Sequence, residues 1–110
     1  MKKILIVEDE EPIRRVLKRI LADENSEFKI FEAIHGNEAI EKLSRDKFDL
    51  VVCDIKMPKK DGLDVLKFAN KKGIISPFIM LTGHGNIETA VEAMKIGAYD
   101  FIEKPPDLNR

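Results

Sequence analysis

Three short runs without a charged residue, Ile4-Leu5-Ile6-Val7, Leu50-Val51-Val52-Cys53 and Phe78-Ile79-Met80-Leu81, interrupt a chain that is otherwise rich in charge. Unbroken apolarity over four residues suits a strand covered by helices on both faces, so these runs predict central strands of a parallel sheet. Phe28-Lys29-Ile30-Phe31 and Tyr99-Asp100-Phe101-Ile102 mix polar with apolar residues, which predicts strands nearer an edge. Between the first two strands Ile13, Val16, Leu17, Ile20 and Leu21 fall on one helical face, and Pro12 stands in the first turn, where its missing N–H costs nothing. Shorter helices are expected around Ala39, Ile40 and Leu43, around Leu63 and Leu66 after a Lys60-Asp61-Gly62 turn, and from Ile87 through Ala90, Val91 and Met94 to a stop at Gly97.

Strand and helix therefore alternate. Right-handed crossovers turn such alternation into an α/β fold with a doubly wound, five-stranded parallel sheet, flavodoxin-like in its strand order 2-1-3-4-5. After Lys104-Pro105-Pro106, Asp107 has the character of an N-cap, with three residues left to follow it. This predicts a fifth helix that is truncated or missing, and a sheet face short of cover. Residues 1–110 then read as one domain, the N-terminal part of a longer protein or a unit covered by a neighbouring chain.

Composition removes several function classes. Nineteen basic against twenty acidic residues give a net charge of -1, which leaves no electrostatic case for direct nucleic-acid binding by this domain. One cysteine excludes an internal disulfide, and no apolar run approaches the roughly 20 residues that span a bilayer. The apolar stretch after Lys2-Lys3 is too short for a signal-peptide core, and a cytoplasmic, membrane-free protein is the expectation.

The chemistry gathers where the central strands end. Glu8 and Asp9 follow the first, Asp54 follows the Leu50 run, Thr82 follows the Phe78 run, and Lys104 follows the last strand. Open α/β sheets bind ligands beyond the carboxyl ends of their strands, so these side chains are expected to converge. Mg²⁺ is a hard cation that asks a protein for one or two carboxylates, which Asp9 and Asp54 offer, and with Lys104 it balances the three acids. Without it the acids raise one another's pKa. A carboxylate at Asp54 can attack a phosphoryl group to form an acyl phosphate, Lys104 can pair with a phosphoryl oxygen, and Glu8 can act through an outer-shell water. Thr82, in a loop loosened by Gly83 and Gly85, is a donor able to turn toward the added charge.

Glu8-Asp9 after Ile4-Leu5-Ile6-Val7, Asp54 with Met57-Pro58 and Gly62, Thr82, and Lys104-Pro105 together resemble the receiver domain of two-component response regulators. The likeness covers the chain apart from the last helix. Leu81-Thr82-Gly83-His84-Gly85 and Gly97-Ala98-Tyr99-Asp100-Phe101 are similar to the NtrC-type subgroup, in which a receiver controls a sigma-54-dependent AAA+ ATPase and a DNA-binding domain. The resemblance implies a sensor histidine kinase as phosphodonor to Asp54, the backbone carbonyl of Lys56 as a third Mg²⁺ ligand, and a cis Lys104-Pro105 bond. It implies an aromatic switch at Phe101, where Phe leaves no hydroxyl, and a homodimer or partner surface on helix 4 and strand 5. Glu8 stands where aspartate is more usual.

Plainer readings compete for single residues. Acids after strands form turns, an isolated lysine is usually solvated, and a lone threonine usually caps a helix. Cys53 in a buried strand is an inert core thiol, and His35 and His84 are solvent-exposed loop histidines. On the helix after Thr82, the stripe of Ile87, Val91 and Met94 is expected to face the core, with Ile96 on the far side as a partner contact. Two other functions fit the acids less well. A haloacid-dehalogenase-type phosphatase needs an acid where Lys56 stands, and an unphosphorylated docking module has no use for the acid, threonine and lysine set.

Overall fold

The computed structural model describes residues 1–83 and 86–104. Five parallel strands, β1 (Lys3–Val7), β2 (Lys29–Ala33), β3 (Leu50–Asp54), β4 (Phe78–Thr82) and β5 (Asp100–Glu103), lie in the order β2-β1-β3-β4-β5. They alternate with helices α1 (Glu11–Glu24), α2 (Gly36–Arg45), α3 (Gly62–Lys71) and α4 (Ile87–Ile96). The three apolar runs occupy the interior of the sheet and the two mixed segments its edges, as the sequence predicts. Edge strands begin and end slightly later than expected: β2 runs on through Glu32 and Ala33, which pair with Ile6 and Val7. A charged residue near its end hides that extension from a hydrophobic pattern.

Two apolar layers sandwich the sheet. On one face α1, through Leu17 and the half-buried Ile13 and Leu21, packs over Ile4, Ile6, Val52 and Leu81. On the other, α2, α3 and α4 contribute Ala39, Leu43, Val65, Leu66, Ala69 and Ala93 against Leu5, Val7, Val51, Cys53, Phe78 and Met80. Fully burying one aliphatic side chain contributes about 1.5–3 kcal/mol. Four such residues in β1 therefore outweigh the cost of carrying an acid, Glu8, into the interior at the strand's end. Ile102 pairs with Leu81 and so shares α1's face, where it is left exposed, in keeping with a face short of cover. The expected fifth helix, the Asp107 cap and the Lys104-Pro105 bond lie outside the described residues.

Helix α4 reverses its expected orientation. Ile87, Val91 and Met94, read as the inner stripe, are 55%, 46% and 40% exposed, while Ala90 and Ala93 are buried and Ile96 packs on the core. Ala90, Ala93 and Ile96 recur at three-residue spacing, and the two alanines let the helix backbone approach closely where bulkier side chains would hold it off. The size of the apolar residues misleads here, since the fit of the small ones decides the docking face.

The loop from β3 to α3 is tied back onto the strand end. Gly62 N–H donates to Ile55 O at 2.8 Å, and a Cβ at position 62 would sit 2.1 Å from the carbonyl oxygen of Asp54. Asp61 and Asp64 close a reciprocal capping box just beyond it, at 2.9 and 3.2 Å. Gly62→Ala must therefore move either α3 or the end of β3. We expect it to cost roughly 2 kcal/mol or more in urea unfolding, whereas Gly73→Ala, with nothing near its Cβ but a φ of +72°, should cost about 1 kcal/mol. Equal midpoints for the two variants would show that the contact at residue 62 relaxes freely.

Candidate functional site

The predicted acids, threonine and lysine lie at or just beyond the carboxyl ends of strands, while Phe101 lies within β5. Asp54 and Thr82 are the last residues of β3 and β4, Glu8 and Asp9 follow β1, and Lys104 follows β5. Asp54 pairs with Leu81, so Thr82 stands one residue further along the neighbouring strand. The Lys104 N–H donates to Thr82 O at 2.7 Å, joining the ends of β4 and β5. Phe101 pairs with Met80 and packs half-buried on the three-helix face of the core. Lys56 is exposed in the loop that leaves β3.

Charge is concentrated and poorly balanced. The Lys104 ammonium lies 3.0 Å from Asp54 Oδ2, 3.1 Å from Glu8 Oε1 and 3.5 Å from Glu10 Oε1. Glu8 is 0% and Asp54 2% exposed. At an effective dielectric of about 20, the gross Asp54–Lys104 attraction is about 5 kcal/mol, comparable to the several kcal/mol each ion loses on leaving water. The pair is thus close to break-even as a stabilising device, which directs attention to what else it does.

The two buried acids feel the imbalance directly. Burial, with the Asp54 charge adding to it, pushes the Glu8 carboxyl up to about 7 against the opposing pull of the Glu10 N–H and of Lys104. Asp54 is likewise raised, first by burial and further by Asp9, with hydrogen bonding from Lys104 working against the rise. Lys104 is held above its ordinary value: burial alone would lower it, but Asp54 and Glu8 outweigh burial.

A divalent cation fits this donor set. Carboxylate oxygens of Glu8, Asp9 and Glu10 lie within 4.8 Å of one another, and these acids with Asp54 outnumber the Lys104 ammonium that pairs with Glu8 Oε1 at 3.1 Å. All available donors are hard oxygens, which favours Mg²⁺ over softer metals. The close group of oxygens is that of Glu8, Asp9 and Glu10; Asp9 is exposed, and Asp54 is enclosed at the end of the neighbouring strand.

Sequence reasoning missed Glu10, whose signal was present as a third acid directly after Glu8-Asp9. Its contact with Lys104 depends on the distant end of β5, which no local pattern reveals. His35 is exposed as expected, and it also caps α2 by accepting from the Glu38 N–H at 3.1 Å. Cys53 is buried, with its thiol pushed well up by burial and then by Asp54, and is inert as expected. His84 lies outside the described residues. Among the described residues no helix is long and apolar enough to cross a membrane.

A doubly wound sheet with acids, a threonine and a lysine at its strand ends is the layout of a receiver-like module. The chain belongs to the response regulator receiver domain family, whose model matches residues 4–110. It is 42% identical over 104 residues, 93% of its length, to a putative NtrX-like response regulator of Rickettsia bellii. It is 34% identical over 106 residues, 96% of its length, to the DNA-binding transcriptional regulator NtrC of Proteus hauseri. The chain spans 21% and 22% of those two relatives. The solved receiver domain of NtrX from Brucella abortus matches with a TM-score of 0.84 at 42% identity, over 94% of this chain and 86% of that one. This is accordingly an NtrC-like receiver domain.

The raised acids set a pH dependence. Glu8 binds its proton more tightly folded than unfolded, so its contribution to stability is complete below its ordinary value of 4.5 and is lost as pH climbs through about 7. Asp54 acts in the same direction. In chelator, the melting temperature should fall between about pH 5 and pH 7.5, and fall less in Glu8→Gln. Parallel profiles for the two proteins would contradict the burial cost assigned to Glu8.

Proposed function

We propose that the chain is a phosphoacceptor switch in which Asp54 receives a phosphoryl group from a sensor histidine kinase. The observation that carries this reading is the Asp54 carboxylate itself, enclosed at the end of the central strand with one oxygen 3.0 Å from an ammonium that Glu8 and Glu10 share. Asp9, Asp54 and the backbone carbonyl of Lys56 would hold Mg²⁺, with Glu8 in its outer shell through water. When bound, that ion neutralises oxygen charge at the reacting phosphoryl group. Asp54 attacks phosphorus, the P–N bond to the kinase histidine breaks, and its electron pair returns to the imidazole, which takes up a proton. The product is a mixed anhydride at Asp54, whose later hydrolysis resets the switch.

Lys104 then has a phosphoryl oxygen as its partner in place of the bare carboxylate, and the added negative charge draws in the Thr82 hydroxyl. Thr82 and Lys104 are already joined through the backbone, so movement of Thr82 is felt in β5, where Phe101 shifts inward. The outward apolar stripe of Ile87, Val91 and Met94 on α4, with exposed Tyr99 before β5, supports an output surface there. A second receiver, in a homodimer, or an attached domain would read that surface. The resemblance to NtrC-type regulators favours a C-terminal AAA+ ATPase and DNA-binding domain in a longer protein, and control of sigma-54-dependent transcription in the cytoplasm. Shifting such a switch almost completely takes about 5.5 kcal/mol of differential contact, within reach of a few charge-assisted hydrogen bonds.

Asp54→Asn should abolish labelling by acetyl phosphate in Mg²⁺, and retained labelling would refute the assignment. Thr82→Ala should still be labelled, yet beryllofluoride, an acyl-phosphate mimic, should no longer shift the NMR signals of Val91 and Met94. Full shifts in that variant would remove Thr82 from the relay.

A further inference from the structure

Asp9 has no hydrogen bond or ion pair of its own among the described residues, and its position is set by what holds the residues on either side. On the strand side, the Glu8 N–H donates to Ala33 O at 3.0 Å and Glu8 O accepts from Arg14 Nη1 at 2.9 Å. On the helix side, Glu10 O accepts the backbone N–H of the same residue, Arg14, at 3.0 Å. One arginine therefore brackets Asp9, by its guanidinium before it and by its main chain after it. The guanidinium is anchored from behind, with Nε donating to Glu32 Oε1 at 3.0 Å while Lys18 holds the other oxygen of Glu32 at 2.9 Å. Lys18 and Arg14 together keep Glu32 below the usual carboxylate range.

We infer that Arg14 is a positioning residue for the cation site, fixing the loop that presents Asp9 by joining Glu8 O to Glu32 of β2. The inference rests on the phosphoacceptor reading and deepens it. Arg14 is 14% exposed in its side chain and lines the same cleft as Asp9, so it acts next to the site without touching Asp54. Its planar fork reaches the carbonyl and the carboxylate at once, which a lysine ammonium in the same place does not reproduce. Local charge works in the opposite sense, since a cation beside an acidic cleft weakens the binding of another cation. Geometry and charge thus predict opposite effects when the arginine is removed.

The test is calorimetric titration of Mg²⁺ into the wild-type protein, Arg14→Ala and Arg14→Lys, each also melted in chelator; the chain has no tryptophan to report binding by fluorescence. Positioning predicts a Mg²⁺ Kd about tenfold weaker in both variants, the usual effect of losing a group that orients a metal ligand. Tighter binding in Arg14→Ala with unchanged binding in Arg14→Lys would overturn the inference in favour of charge alone. Unchanged binding in both would overturn it outright. Collapse of the fold in Arg14→Lys would do the same, by assigning the arginine to the fold and not to the site. A wild-type protein that takes up no Mg²⁺ would overturn the phosphoacceptor reading, and the inference with it.

Discussion

Excess negative charge, enclosed at one end of a hydrophobic sheet around the Lys104 ammonium, is the constraint around which this molecule is arranged. Lys104 touches Glu8, Asp54 and Glu10, which arrive from the ends of two other strands, so the contact exists only when β1, β3 and β5 are all in register. The buried acids are raised first by their burial, against which the pull of Lys104 works without cancelling it. A cation and a phosphoryl group change that balance in opposite senses. In the proposed switch, this is what would let an α/β scaffold respond to a covalent event at one carboxylate.

The scaffold supplies the rigidity such a response needs. Burial of the apolar strand residues fixes where each strand stops, and Gly62, Asp61 and Asp64 pin the loop beyond β3 so closely that the Asp54 carbonyl leaves no room for a side chain. Helix α4 is seated through two alanines and Ile96, and turns its larger apolar residues outward. In the proposed switch, this helix, next to Thr82 and β5, is the element that would shift.

Much of this was legible in the chain. Uninterrupted apolar runs identified the central strands because burial on both faces leaves no position for a polar residue, and a change of residue type at the end of each run marked Glu8, Asp54 and Thr82. What stayed hidden depends on contacts between distant segments. Glu32 was obscured at the end of β2 because its partners, Arg14 and Lys18, lie on α1. Glu10 resembles any exposed acid until β5 brings Lys104 to it, and α4 was turned wrongly because residue size, not closeness of fit, governs a periodicity argument.

The central claim is that these strand ends form a Mg²⁺-dependent acyl-phosphate site at one carboxylate. It is tested most directly by treating the protein with acetyl phosphate, reducing any acyl phosphate with borohydride and sequencing the peptides by mass spectrometry. The account predicts homoserine at position 54 when Mg²⁺ is present and none when a chelator replaces it. Homoserine at another aspartate, or equal conversion of Asp54 without the metal, would contradict it.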